Sequence, residues 1–542
     1  MRRSAGAAAL LAAVTVLAAC TGGDPSPSPT PSALVAEPVA TVSAPAPAAS
    51  STPSPTPTVE TLAWGPTVAD WDDALATARA LPLRRAAGQV IVADVYSPDP
   101  AAAAALVSEH HVGGVILMGG AAPSAEAVAA LADRVQRADD RDWPVLVSAD
   151  EEGGIVSRLS AAVPSLPSFM AAGAATDDAA VTEAYRSSAA DMRALGVLVD
   201  YAPVADVTLG PADPIIRTRS AGDDPHGVAA TVTAAVAGFV DGGVVPVIKH
   251  FPGHGSVTVD SHAGLPVQER SVARLARTDL VPFARAIEAG APAVMMGHIA
   301  VPAWGDGPAT LERKAYGYLR DELGFTGVAI TDALNMAAVA DGRTEGQVAV
   351  RALRAGADVL LMPGDAGDVI DAVASAVKDG RLSRDRLDEA AARSILLMRW
   401  ADGLGGGEPS PAYARTFAAA GTTVAAEDCT RPLVRRRATV VASPDDAAAA
   451  LTRALEARGV ETGDGGTSIA LLSSGGYRAA ADVVVTLGGP WGLFDSTADA
   501  YVATYGDSAA SIGALADVLV GDVEPGGEWP VALEGALPAC AA

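Results

Sequence analysis

Short apolar runs alternate with longer stretches of helical spacing over the first 400 residues. Eight runs hold mainly aliphatic side chains: residues 90–95, 114–118, 145–149, 198–207, 245–250, 293–298, 327–331 and 358–362. The stretches between them are rich in Ala, Arg and Glu, for example 125–139, 178–195, 228–241, 271–289 and 347–355. Strands that are apolar on both faces and alternate with helices are typical of covered parallel sheets. The pattern predicts a (β/α)8 TIM barrel, and a doubly wound open sheet is the alternative.

Polar side chains stand at the ends of most of these runs, in chain order Asp150, Asp206, Lys249, His250, His298 and Asp332. In a closed barrel these ends lie on one rim, where barrel enzymes place their active sites. Taken singly, each has an ordinary explanation: Asp206 could cap a turn, His298 could be a core histidine and Lys249 could form a structural ion pair. The presence of so many polar residues on one rim favours an enzyme. A doubly wound open sheet would not explain why polar residues follow nearly every strand.

A second, smaller domain is predicted after the glycine-rich segment 403–407, which follows a helical stretch at 382–400. Apolar runs at 438–442, 468–472 and 483–487 alternate there with helical stretches at 445–457 and 508–519. We therefore expect a barrel domain over 61–405 and an α/β sandwich over 410–542.

The first 60 residues resemble a bacterial lipoprotein leader and a tether. Arg2 and Arg3 precede an apolar stretch that ends in the small-residue box Leu17-Ala18-Ala19-Cys20. The alternatives are a secretory peptide with an incidental cysteine or a membrane-spanning helix, although the apolar stretch is shorter than the roughly 20 residues that a span needs. We expect a signal peptide over 1–19, lipidation of Cys20 and a Pro/Ser/Thr-rich tether over 20–60. This would hold an exported protein on the extracytoplasmic face of the cell membrane by a lipid anchor.

The net charge bears on the possible partners of the chain, and the two remaining cysteines bear on its covalent structure. The 542 residues include 38 Lys and Arg against 64 Asp and Glu, a net charge of −26, which argues against a nucleic-acid partner. In an exported protein, Cys429 and Cys540 suggest a disulfide, and two separate buried thiols are the alternative. We expect no cofactor and no metal.

The densest group of reactive side chains follows the fifth run, in Lys249-His250-Phe251-Pro252-Gly253-His254-Gly255 and Asp260-Ser261-His262. This stretch resembles the signature of bacterial family 3 glycoside hydrolases of the β-N-acetylhexosaminidase type. Further matches, in the order of the family, cover residues 85–400: Asp150-Glu151-Glu152-Gly153-Gly154 with Arg158, Tyr201–Val207, Arg219-Ser220 and Ile330–Leu334.

The resemblance implies a retaining reaction in which Asp332 is the nucleophile and His262 the general acid/base, with Asp260 beside it. The alternative for Asp332 is a helix N-cap. A neighbouring carboxylate favours the charged imidazole, so Asp260 can raise the pKa of His262 toward the working pH. His254 is interpreted as structural.

The resemblance also implies sugar contacts from Asp150, Arg158, Arg219, Lys249 and His250. Arg217 is the alternative to Arg219 for the arginine of the family motif. The chain departs from the family pattern at two positions. Ile155 stands where a second arginine is frequent, and Ser256 stands where an acid is common.

The expected function is exo-acting removal of terminal N-acetylglucosamine from cell-wall saccharides derived from peptidoglycan. Two alternatives lie in the same family, a β-N-acetylglucosaminide phosphorylase and a β-glucosidase. A third, from another class, is a lipoprotein that binds saccharides without catalysis. A binding protein would have no need of both Asp332 and the Asp260-Ser261-His262 turn.

Overall fold

A computed structural model describes residues 59–540 except 341, 430–431, 444 and 474–477. The expected signal peptide, Cys20 and all but the last two residues of the tether lie outside the described residues. Within the described part of the chain, no helix has the length and apolar character needed to cross a membrane.

Eight parallel strands form the first domain: β1 Ile91–Val95, β2 Gly114–Leu117, β3 Leu146–Ala149, β4 Val199–Asp200, β5 Val245–Phe251, β6 Ala293–Met296, β7 Val328–Thr331 and β8 Leu360–Leu361. From β1 to β7 each strand pairs with the next in sequence, and β8 pairs with β1 in the register Ile91 to Leu360. A parallel bridge between Ile330 and Val359 joins β7 to β8. The barrel expected from the sequence is confirmed, and the open sheet is wrong.

Helices precede β1, connect the strands and follow β8: Val68–Ala80, Leu83–Gln89, Pro100–His110, Ala125–Gln136, Met170–Ala174, Asp178–Ala194, Pro225–Asp241, Val272–Leu275, Val281–Glu288, Arg313–Gly317, Ala337–Ala340, Glu345–Ala355, Ala366–Lys378 and Arg384–Gly403. The single helix expected over 271–289 is two helices. Pro282 lies in the first turn of the second, where its missing N–H costs nothing.

The second domain is a six-stranded sheet with strands β9 Thr423–Ala426, β10 Arg437–Ser443, β11 Glu461–Thr462, β12 Thr467–Leu472, β13 Val483–Thr486 and β14 Ala500–Ala503. Its order is β9-β14-β13-β12-β10-β11, parallel except for the pair β9 and β14. Alternate residues of β12 enter different apolar clusters, Ile469 and Leu471 in one and Ala470 and Leu472 in another, so both faces are covered. The α/β sandwich is thereby confirmed.

Three helices belong to this second domain, Tyr413–Gly421, Asp445–Glu456 and Ala509–Val520. A disulfide joins Cys429 to Cys540, whose Cα atoms are 5.6 Å apart. The domain lies against the barrel loops that follow β3 and β4. The backbone N–H of Ser168 donates to the carbonyl of Tyr505 at 2.9 Å, and that of Glu528 donates to the carbonyl of Ala174 at 2.8 Å.

Candidate active site

A cavity of about 310 Å³ opens at the carboxyl ends of the barrel strands. Seven of the residues singled out from the sequence line it: Asp150, Arg158, Arg219, Lys249, His250, His262 and Asp332. Asp260 is not part of the lining but contacts His262. The side chains come from the end of β5 and from the loops after β3, β4, β5 and β7, which only the closed barrel brings together.

Two basic and two acidic side chains form a buried ion-pair network in the cavity wall. Lys249 Nζ lies 2.6 Å from both Asp150 Oδ1 and Glu152 Oε1. Arg219 completes the network by donating two hydrogen bonds of 2.7 Å to Glu152. Burial opposes ionisation of Glu152, but Arg219 and Lys249 outweigh it and hold the pKa of Glu152 well below its usual value. Each of the four charges in this network therefore has a partner of opposite sign.

Glu152 was missed as a site residue, although it stands inside the motif Asp150–Gly154. The hairpin Glu151–Gly153 with Val156–Ser157 turns the chain immediately after β3. Gly153 and Gly154 adopt φ angles of +87° and +56°, which favour glycine, and this turn directs Glu152 into the barrel. The paired glycines after the acids were the available signal.

His250 is oriented by Asp206, which is fully buried. Its Nδ1 lies 2.7 Å from Asp206 Oδ2, and Asp206 Oδ1 accepts hydrogen bonds from the backbone N–H groups of His250 and His254. Asp206 thus holds both the imidazole and the turn that follows it. The sequence had singled out Asp206 only as a polar strand end.

Asp332 follows β7 and is half-buried at the cavity floor. Its Oδ1 accepts a hydrogen bond of 2.8 Å from the N–H of Ala333. Burial raises its pKa, but the charges of His298 and His250 and the Ala333 N–H outweigh burial and hold the pKa below its usual value. The next helix begins at Ala337, so Asp332 is not its N-cap.

His298 supports the loop that carries Asp332 from the neighbouring strand end. Its Nε2 donates to the carbonyl of Ala333 at 2.9 Å, and its Nδ1 lies 2.8 Å from Thr310 Oγ1. Burial lowers the pKa of His298. His298 is therefore a positioning residue beneath Asp332.

His262 stands on a loop after β5, and its side chain is 66% exposed. Its backbone N–H and its Nδ1 both donate to Asp260 Oδ1 at 2.8 Å. The loop is anchored beside it, where buried His254 Nε2 lies 3.0 Å from Ser261 Oγ. Hydrogen bonds from His262 outweigh the effect of burial and lower the pKa of Asp260.

The second domain reaches the loop that carries Arg219. The guanidinium of Arg217 lies over the ring of Trp491, 5.7 Å from its centroid. A Cβ added at Gly210 would meet Trp491 Nε1 at 2.9 Å, so the backbone passes close to the indole. Arg217 thus points at the second domain, whereas Arg219 lines the cavity.

The two departures from the family pattern lie outside the cavity lining. Ile155 is 72% exposed on the hairpin turn. Ser256 donates to Asp279 and accepts a hydrogen bond of 2.6 Å from Gln268 Nε2. Neither side chain contacts the residues around Asp332.

The chemistry available here combines a carboxylate, an imidazole and a set of paired donors and acceptors. Asp332 can act as nucleophile, and His262 can exchange a proton with a bound molecule. Lys249, Arg219 and Asp150 suit the hydroxyl and carbonyl oxygens of a sugar. Across the described residues, no group of three or more His, Cys, Asp or Glu is arranged to hold a metal ion.

Two relatives are similar to this chain in sequence. β-Hexosaminidase LpqI of Mycobacterium tuberculosis is 37% identical over 260 residues, which cover 46% of this chain and 67% of the relative. A β-hexosaminidase of Xylella fastidiosa is 42% identical over 243 residues, 43% of this chain and 71% of the relative.

A solved family 3 β-N-acetylglucosaminidase from a Paenibacillus species superimposes with a TM-score of 0.73 at 28% identity, over 84% of this chain and 99% of that one. Residues 83–397 match the model of the glycosyl hydrolase family 3 N-terminal domain. The chain therefore belongs to glycosyl hydrolase family 3, among relatives that are β-hexosaminidases.

Proposed function

We propose that this enzyme is a retaining, exo-acting β-N-acetylhexosaminidase that releases terminal N-acetylglucosamine. One observation carries the proposal: Asp332, with its lowered pKa, and His262, oriented by a carboxylate, line the same cavity. A nucleophile and a proton donor are the two groups that double displacement at an acetal carbon requires.

In the first step, Asp332 attacks the anomeric carbon, while His262 gives its proton to the glycosidic oxygen and the aglycone leaves as an alcohol. In the second step, the now neutral His262 takes a proton from water, and the oxygen of that water displaces Asp332 from the anomeric carbon. Each step inverts the configuration, so the sugar leaves as the β-anomer. Asp260 holds Nδ1 of His262, which leaves Nε2 for the proton transfer.

The cavity supports cleavage at a chain end. A volume of about 310 Å³ lies at the low end of the roughly 300–1,000 Å³ that ligand pockets span, so it suits a single sugar unit. Glu152 in its wall and Asp206, which contacts His250, are both buried. We propose that peptidoglycan-derived saccharides supply this sugar, since lipid anchoring at Cys20 would hold the enzyme beside the cell wall.

Proton NMR of the first product from a β-1,4-linked N-acetylglucosamine disaccharide, with and without phosphate, tests the proposed reaction. We expect β-N-acetylglucosamine in both conditions and no turnover by Asp332→Asn. An initial α-anomer would contradict retention, and a sugar 1-phosphate would identify a phosphorylase. Preference for a β-glucoside would identify a glucosidase, and binding without turnover would leave a saccharide-binding lipoprotein.

The proposed anchor is tested separately by fractionating cells that express the chain or Cys20→Ala. We expect the wild-type protein in the membrane fraction and the variant in the soluble extracytoplasmic fraction. Equal membrane retention of both would contradict lipidation while leaving the catalytic proposal untouched.

A further inference from the structure

A second cavity, of about 710 Å³, lies on the outside of the barrel and is unusually basic. Five arginines and one carboxylate line it: Arg313, Arg351, Arg354, Arg381, Arg386 and Glu312. It shares no lining residue with the cavity around Asp332. Arg354 lies in the last turn of helix Glu345–Ala355, which leads to the amino end of β8. This part of the cavity is therefore remote from the catalytic rim.

Three of the five arginines have carboxylate partners. Arg351 lies 2.7 Å from Glu312, Arg386 lies 3.0 Å from Asp358, and Arg381 lies 3.3 Å from Asp379. Arg313 and Arg354 are exposed, and among the residues that the structure describes they have no hydrogen bond or ion pair from their side chains. These two guanidinium groups are available to an external anion.

The wall behind the cavity is also rich in positive charge. Buried Asp358 is shared by Arg320 at 2.6 Å, Arg386 at 3.0 Å and Arg393 at 3.5 Å. Burial and the charges of Arg393 and Arg386 lower the pKa of Arg320 to about 10, although Asp358 contacts it. In addition, Nη1 of Arg386 is buried without a hydrogen bond. A second carboxylate, Glu389, lies 3.5 Å from Arg386 and 2.9 Å from Arg393, so two carboxylates face three guanidinium groups.

This concentration of positive charge contrasts with the chain as a whole, whose net charge is −26. All five basic side chains are arginines, whose planar fork matches phosphate oxygens in a bidentate manner that lysine cannot reproduce. The volume exceeds what one phosphate occupies, so several linked anionic groups could be held at once.

We propose that this cavity binds a polyanion with two or more linked phosphate groups, at a site separate from the catalytic cavity. Arg313 and Arg354 supply the free guanidinium forks, while Arg351, Arg381 and Arg386 provide a positive wall. The same chemistry occurs in a free oligophosphate and in a phosphodiester polymer, and the two are compared directly below. Such a site would retain the enzyme on an anionic polymer or bind a small oligophosphate without taking part in glycoside cleavage.

Calorimetric titration of the full chain with tripolyphosphate, poly(glycerol phosphate) and citrate tests this site. The informative variant is Arg313→Ala with Arg354→Ala. The matched control is Arg274→Ala with Arg277→Ala, which removes the same charge from exposed positions outside both cavities. We expect at least about tenfold weaker phosphate binding in the informative variant, the scale of losing charge-assisted hydrogen bonds, and less than about twofold in the control.

Tighter binding of tripolyphosphate would indicate a small ligand, and tighter binding of poly(glycerol phosphate) would indicate a polymer. Both double variants should hydrolyse a nitrophenyl N-acetylglucosaminide at the wild-type rate, which shows that they are folded. Absent binding, equal losses in the two variants, or citrate binding as tightly as tripolyphosphate would overturn the proposal. Competition by N-acetylglucosamine would also overturn it, because the phosphate would then occupy the catalytic cavity.

Discussion

Asp260 Oδ1 accepts two hydrogen bonds from His262, one from its backbone N–H and one from Nδ1, each 2.8 Å long. Because Nδ1 is engaged by the carboxylate, Nε2 is the ring atom that can exchange a proton with a substrate. The carboxylate thereby sets the orientation of the imidazole for the proposed first step.

We expect His262→Ala to slow cleavage of a natural disaccharide by about 10²- to 10⁴-fold, the usual contribution of a general acid. Formation of the glycosyl-enzyme from a nitrophenyl glycoside should be slowed much less, since nitrophenolate leaves without protonation. Azide needs no base, so it should restore turnover and yield a β-glycosyl azide. Steady-state and burst kinetics on both substrates measure these effects.

His226→Ala is the matched control, because His226 is exposed and remote from the cavity lining. Equal impairment of His262→Ala on both substrates, without azide rescue, would mean that His262 serves binding or structure.

Replacing Asp332 with Asn should lower turnover by about 10⁴-fold or more, the scale on which loss of a catalytic nucleophile acts. Saccharide affinity should change little, because the network of Lys249, Asp150 and Arg219 is untouched. A fluorinated slow substrate should label Asp332 in mass spectrometry of wild-type peptides. Asp306→Asn, at an exposed rim position, is the control, and a label on another carboxylate would refute the assignment.

Trp491→Ala tests whether the second domain positions the loop that carries Arg219. We expect KM to rise by about tenfold with a smaller change in kcat, since the cation–π contact with Arg217 is worth up to about 2 kcal/mol. Trp491→Phe keeps an aromatic face and should recover most of the affinity. If Trp491 served only the stability of the fold, KM would be unchanged, and active-site titration would instead show a smaller fraction of active molecules.

The buried Glu151 carboxyl predicts a pH-dependent stability. Burial raises its pKa to about 7 from 4.5, against hydrogen bonds from Ser157 and the N–H of Leu159. A raised pKa means that its stabilising contribution is complete below pH 4.5 and is lost as the pH rises through about 7. In Glu151→Gln this dependence should vanish, because an amide does not titrate.

Urea denaturation from pH 4.5 to 8 measures the effect. The free energy of unfolding of wild type minus that of Glu151→Gln should fall with rising pH by up to about 3 kcal/mol. The Gln oxygen can still accept from Leu159, so the variant should fold. A difference that is constant with pH would show that Glu151 titrates normally.

The disulfide between Cys429 and Cys540 should form quantitatively in protein that is purified without a reductant. Denatured, unreduced Cys20→Ala protein should show no free thiol, and two thiols would contradict the bond. The bond closes a separation of 111 residues, for which the chain-entropy model gives about 4 to 5 kcal/mol and practice gives less. Cys540→Ser should therefore unfold at lower urea concentration, while kcat/KM stays unchanged because neither cysteine lines the cavity.

The sequence alone determined the barrel and most of its rim. Strands that are buried on both faces leave continuous apolar runs, and each of the eight runs overlaps one strand of the barrel. The position of a polar residue at a strand end is also a local property, so Asp150, Lys249, His250 and Asp332 could be assigned to one rim before any contact was known.

Only the tertiary structure decided which of these side chains meet. Glu152 became the shared partner of Lys249 and Arg219 because a two-glycine turn folds the hairpin inward. Trp491, remote in sequence, became the wall behind Arg217 because the second domain packs on that loop. A local pattern reports whether a residue is buried or exposed, whereas its partner depends on how distant elements pack, which no short segment encodes.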